Sequence, residues 1–120
     1  MFVVKTDFPV ACDSPDHLRP LGTRIDNNTN VKLIEEMESF FPGRKIFSLD
    51  LGCSGGQFVV DQFKRGHRAL GIEGSDYSIT HKRANWPEFH GKLLFTADLT
   101  KPFEIFAEGK PARFDVITAW

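Results

Sequence analysis

Residues 45–76, KIFSLDLGCSGGQFVVDQFKRGHRALGIEGSD, read as strand, glycine turn, helix and strand. The apolar run Ile46-Phe47-Ser48-Leu49-Asp50-Leu51 leads into Gly52-Cys53-Ser54-Gly55-Gly56. A helical segment from Gln57 to Arg65 follows, stopped by Gly66, and the run Leu70-Gly71-Ile72 then ends at Glu73. Closely spaced glycines at a strand end let the main chain turn sharply and let a ligand approach where a side chain would block it. The helix beyond them points its free N–H groups and positive dipole end at the same space. An acid about twenty residues past the first glycine, at the tip of the next strand, can accept hydrogen bonds from a ribose. Gly52 and Glu73 have that spacing. The stretch predicts a site for a ligand with a ribose and an anionic group.

The dinucleotide fingerprint Gly-x-Gly-x-x-Gly fails at two of its three positions, where Ser54 and Gln57 stand. Asp50 also places a negative charge at the end of the first strand, a poor neighbour for a pyrophosphate and a good one for an ammonium or sulfonium. S-adenosylmethionine carries both cations, a ribose and one carboxylate. The segment Asp50-Leu51-Gly52-Cys53-Ser54-Gly55-Gly56 resembles the first motif of class I S-adenosylmethionine-dependent methyltransferases, with Ser54 where the commonest form has glycine. The competing reading is a tight strand-to-helix turn without a ligand.

Working outward, 120 residues suffice for one domain with its own core. With 15 basic and 16 acidic residues, nothing marks an electrostatic footprint for nucleic acid or an anionic membrane. Cys12 and Cys53 sit in unrelated contexts, and no signal peptide or membrane span is visible, so a cytoplasmic setting is expected. Twelve phenylalanines imply an aromatic-rich interior or a hidden interface.

Residues 1–30 read as an irregular leader, in which Phe2-Val3-Val4 could form a brief strand and Pro9, Pro15, Pro20 and Gly22 deny any long element. Two readings suit Asp13 to Asn30: a solvated wrap, or a lid over the site with His17 or Arg24 reaching in. Thr29 or Asn30 can cap a helix from Val31 to Phe41, whose apolar face is Val31, Leu33, Ile34, Met37, Phe40 and Phe41; Pro42-Gly43 ends it. The next helix should turn Phe58, Val59, Val60 and Phe63 inward. Ser75 or Asp76 opens a third helix carrying Tyr77, Ile79 and Ala84, with Pro87 beyond its end; Pro102 to Glu108 reads as a short helix. His67 and His90 read as loop residues without chemistry, and no metal site is expected.

Downstream, the runs Leu93-Leu94-Phe95-Thr96 and Phe114-Asp115-Val116-Ile117-Thr118-Ala119-Trp120 continue the alternation. They predict an α/β domain over 31–120: a three-layer, mostly parallel, Rossmann-like sheet in the order three-two-one-four. The family resemblance implies roles along it. Glu73 would hold the ribose hydroxyls, the loop Gly52, Cys53, Ser54, Gly55 and Gly56 the methionine end, and Asp50 would balance the ammonium. Asp98 and the Leu99 amide would read adenine, with Gly74 or Ser75 against its face and Trp120 lining the transfer site or packed in the core. Asp98 as a turn residue before Thr100 is the plainer alternative. The resemblance covers four of the family's usual seven strands. It leads us to expect a piece of a larger enzyme, or a chain that dimerises through an exposed fourth strand carrying Val116 and Ile117.

The activity implied is methyl transfer to an unidentified acceptor, a small molecule in preference to nucleic acid, and no catalytic residue is assigned. The alternatives are a module that binds S-adenosylmethionine without transferring its methyl group, and an NAD(P)-dependent oxidoreductase on a related fold.

Overall fold

The computed structural model describes residues 1–15 and 27–119. The lid expectation for His17 and Arg24, and the role considered for Trp120, lie outside the described residues. The elements run β1 (Phe2–Lys5), α1 (Asn27–Phe40), β2 (Phe47–Leu51), α2 (Gln57–Lys64), β3 (Arg68–Glu73), α3 (Tyr77–Thr80), α4 (Trp86–Phe89), β4 (Leu94–Thr96), β5 (Glu104–Ala107), β6 (Lys110–Pro111) and β7 (Val116–Ala119). The four strands β4-β3-β2-β7 form one parallel sheet in the expected order, and β1-β5-β6 form a separate antiparallel sheet.

Side-chain alternation along β2 decides what covers each face of the parallel sheet. Leu49 clusters with Leu70, Ile72 and Ala97, and Phe2, Val4, Phe103, Ile105 and Phe114 pack on that cluster from the antiparallel sheet and its flanks. On the opposite face Ile46 and Phe58 meet Ile34 and Met37 of α1, while Val59 and Val60 of α2 pack with Ala69, Trp86, Phe89 and Leu94. The protein is therefore α/β and layered, with helices on one face of the sheet and a small second sheet on the other.

That second sheet corrects the short helix expected over Pro102 to Glu108. Phe103 and Ile105 alternate toward the core at period two, and Glu108 and Gly109, at φ +50° and +77°, make a two-residue hairpin turn into β6. The opening run Phe2-Val3-Val4 pairs along the other side of β5, so the first residues belong to the domain. Arg68 ties the layers at their base: its guanidinium lies over the Phe2 and Phe47 rings and donates to Glu108 at 2.9 and 2.7 Å.

Three helical expectations also shift. α1 begins at Asn27, placing Asn30 inside the helix, where its buried amide donates to Asp61 Oδ2 at 3.1 Å. Phe40 and Phe63, expected inward, are 73% and 48% exposed. Gln62 takes the buried position instead, accepting the Ser48 hydroxyl at 2.5 Å and donating to the Phe58 carbonyl. The single third helix is two short turns, α3 and α4, because Lys82 and Ala84 adopt left-handed φ values near +50° between them; Pro87 lies at the start of α4. His67 is a loop residue between α2 and β3, as expected, but an engaged one: its Nδ1 accepts the Ile46 N–H at 3.2 Å and its Nε2 lies 2.8 Å from Glu38 Oε2. β7 is an edge strand as expected and leaves Ile117 59% exposed, whereas Val116 packs against the α1 cluster.

Asp115, just before β7, accepts a bidentate pair from Arg44 at 2.7 and 3.1 Å and the Phe47 N–H at 2.9 Å, and these bonds hold its carboxyl below the usual carboxylate range. Its folded value lies below its unfolded one, so the stabilisation is present above the ordinary range and is lost as pH falls through the depressed value. Urea melts from about pH 6 down to about pH 2 should show Asp115→Asn clearly less stable than the unsubstituted chain at the upper end, with the gap closing at the lower end.

Candidate functional site

Parallel pairing of Leu51 with Ile72 sets the turn after β2 beside the end of β3. The turn is pinned there by the Gly52 and Cys53 N–H groups, which donate to the Ile72 carbonyl at 2.8 and 3.2 Å. Gly52 adopts φ +74° and a Cβ there would meet nothing within 4 Å, so its α-carbon borders open space. Gly56 adopts φ +81° and leads α2, with no side chain capping the helix. A Cβ at Gly56 would lie 2.5 Å from Leu94 Cδ1, so this glycine serves close packing between α2 and β4.

Glu73, at the tip of β3, reaches across to the turn and accepts the Ser54 N–H on Oε1 at 3.2 Å. The sequence-predicted pair, glycine turn and acid, is therefore brought together. Asp50 is 2% exposed and accepts the Thr118 hydroxyl on Oδ1 at 2.8 Å, so the buried charge has a donor from the neighbouring strand. Thr118 was not singled out in the sequence, although it stands two residues past Val116 in an otherwise apolar strand.

The other face of the turn is held by residues the sequence reading passed over. The Trp86 indole N–H donates to the Ser54 carbonyl at 2.7 Å. Asn85 donates to the Gly55 carbonyl from its backbone N–H at 3.2 Å and from Nδ2 at 3.1 Å, and Nδ2 also reaches Gln57 Oε1. The Gly56 N–H closes the turn onto the Cys53 carbonyl at 2.8 Å. Among the described residues the Gly55 N–H meets no acceptor, and the buried Ser54 hydroxyl has no partner. An uncommitted amide, an uncommitted hydroxyl and an uncapped helix end thus share one turn.

Gly74, Ser75, Asp98 and Leu99 sit at neighbouring strand tips, but the first three are engaged by the N-terminal segment. The Ala11 and Cys12 N–H groups donate to the Gly74 carbonyl at 2.8 and 3.3 Å, and Gly74 faces the Ala11 side chain. Ser75 is buried and its hydroxyl donates to the Ser14 carbonyl at 2.5 Å. The Asp98 N–H donates to the Phe8 carbonyl at 2.8 Å. Asp98 also makes the turn that the plainer reading anticipated: Oδ1 accepts the Thr100 N–H at 2.9 Å and hydroxyl at 2.6 Å, and both bonds lower its carboxyl below the usual range. Asp98 Oδ2 and the Leu99 N–H meet no partner among the described residues.

A hollow of about 430 Å³ lies elsewhere, between residues 4–7 and 102–104. Two of its polar groups serve the protein itself: Thr6 Oγ1 donates to the Pro102 carbonyl and the Lys5 ammonium lies over the Phe106 ring. The turn carries the more specific chemistry, because its donors are fixed and unspent. Among the described residues no three His, Cys, Asp or Glu side chains converge as a metal site, and no helix is long and apolar enough to cross a membrane. No family model, curated protein or solved structure matches the chain.

The two glycines should separate on substitution. Gly52→Ala is expected to cost about 1–2 kcal/mol, the strain of a left-handed alanine. Gly56→Ala should cost about 1–3 kcal/mol more, because its Cβ also drives into the fully buried Leu94. Chemical denaturation of the two variants measures the difference.

Proposed function

We propose that the turn Gly52–Gly56 and the acid Glu73 bind S-adenosylmethionine, and that the chain provides the cofactor-binding part of a methyltransferase. The observation that carries this reading is the hydrogen bond from the Ser54 amide to Glu73 Oε1, which sets a carboxylate beside a glycine turn with unspent donors. The open space at Gly52 fits a ligand lying against the turn.

On this reading Glu73 accepts the ribose hydroxyls with the oxygen that Ser54 does not engage. The Gly55 amide and the α2 N-terminus receive the methionine carboxylate, and buried Asp50 offsets the ammonium. Asp98 Oδ2 and the Leu99 amide take the adenine edge. Gly74 and Ser75 contribute shape, because the Gly74 carbonyl and the Ser75 hydroxyl are already bonded to residues 11–14. When bound, the sulfonium supplies a methyl group already activated for transfer. What the residues of this chain add is alignment and the exclusion of water.

Calorimetric titration with S-adenosylhomocysteine and with NAD tests the proposal. Saturable binding of the sulfur nucleoside is expected, and saturable NAD binding with no response to the nucleoside would overturn it. Glu73→Ala should weaken S-adenosylhomocysteine binding by about 1.5–3 kcal/mol through lost charge-assisted hydrogen bonds. An unchanged dissociation constant would remove Glu73 from the site.

A further inference from the structure

We infer that Asn85 and Trp86 are positioning residues for the ligand of the glycine turn, setting its affinity by fixing which way the Ser54–Gly55 peptide faces. The inference rests on the reading above, that the turn holds S-adenosylmethionine. No cis peptide occurs among the described residues, so the Ser54 carbonyl and the Gly55 N–H point in opposite directions from their shared peptide. With the carbonyl held at 2.7 Å by the Trp86 indole, the Gly55 N–H is directed away from α4. Asn85 holds the next carbonyl from two donors and braces Gln57, the first residue of α2.

Orientation has to be imposed here because the turn does not impose it on itself. Gly55 and Gly56 lack the side chains that restrict backbone rotation, and Ser54 already stands at φ +52°. A rotated Ser54–Gly55 peptide would present an acceptor where the proposed carboxylate needs a donor. Trp86 is 1% exposed, and its indole N–H finds its acceptor in the turn, so burial of the ring and orientation of the peptide are one arrangement.

The test compares Trp86→Phe and Asn85→Ala with Phe89→Leu, which alters the same buried cluster without touching a turn carbonyl. Titration with S-adenosylhomocysteine should show affinity lowered about tenfold or more in the first two variants and unchanged in the third. Amide exchange at Gly55 and Gly56 should accelerate in Trp86→Phe and Asn85→Ala beyond any change in Phe89→Leu. Should the unsubstituted chain bind the nucleoside while Trp86→Phe and Asn85→Ala bind it equally well, the positioning role is overturned and the site stands. Should the unsubstituted chain show no saturable binding, the methyltransferase reading falls, and with it the ligand for which the peptide is held.

Discussion

Parallel pairing of β2 with β3 is the constraint on which the rest of the site depends. Parallel strands bring their C-terminal ends to one side of the sheet, and the Leu51–Ile72 register leaves the turn after β2 level with Glu73. A shift by one residue would turn Asp50 toward the Leu49 side of the sheet, where Leu70, Ile72 and Ala97 offer no donor. In the observed register Asp50 lies on the helix side and meets the hydroxyl of Thr118, its partner in β7. One choice of pairing thus settles the fate of a buried charge and the meeting of turn and acid.

Most polar groups are spent on the fold, and a few buried atoms, the Ser54 hydroxyl and Asp76 Oδ1 among them, are left without partners among the described residues. Ser48 and Gln62 satisfy each other between β2 and α2, and Asn30 with Gln57 both reach Asp61. Asp115 and Arg44 close the start of β7 against the start of β2. Unsatisfied buried polar atoms are costly, so a fold that engages so many of its polar groups gives weight to those it leaves without partners. The Ser54 hydroxyl is one of these, and it stands beside the Gly55 amide in the turn between β2 and α2.

Order in the parallel sheet was legible because each of its strands is a short apolar run, and two of them are separated by a glycine turn and a helical period. The antiparallel sheet was not, because Phe103, Ile105 and Phe106 satisfy a helical spacing nearly as well as an alternating one over so short a run. What decides the matter is Glu108-Gly109, a hairpin turn whose demand for two positive φ values outweighs the local helical preference. Phe63 misled for a related reason: helical spacing places it beside the core face, but the polar partner of Ser48 on β2 required the amide of Gln62 there. The turn and Glu73 could be found from spacing alone. Asn85 and Trp86 could not, since an Asn-Trp-Pro run marks only a helix start, and their bonds to carbonyls some thirty residues earlier exist only after folding.

The N-terminal segment has a consequence for how the molecule comes together. Phe2–Lys5 pairs with Glu104–Ala107, and the groups of Phe8 and Ala11 bond to Asp98 and Gly74, so its partners all lie far along the chain. A ribosome delivers residues 2–5 long before residues 104–107, the strand that flanks them. Until β5 has emerged, Phe2 and Val4 have no layer to enter and remain a short sticky edge, the kind of surface that chaperones shield. Residues 2–5, made about a hundred positions before the strand they pair with, are therefore among the last to find their places.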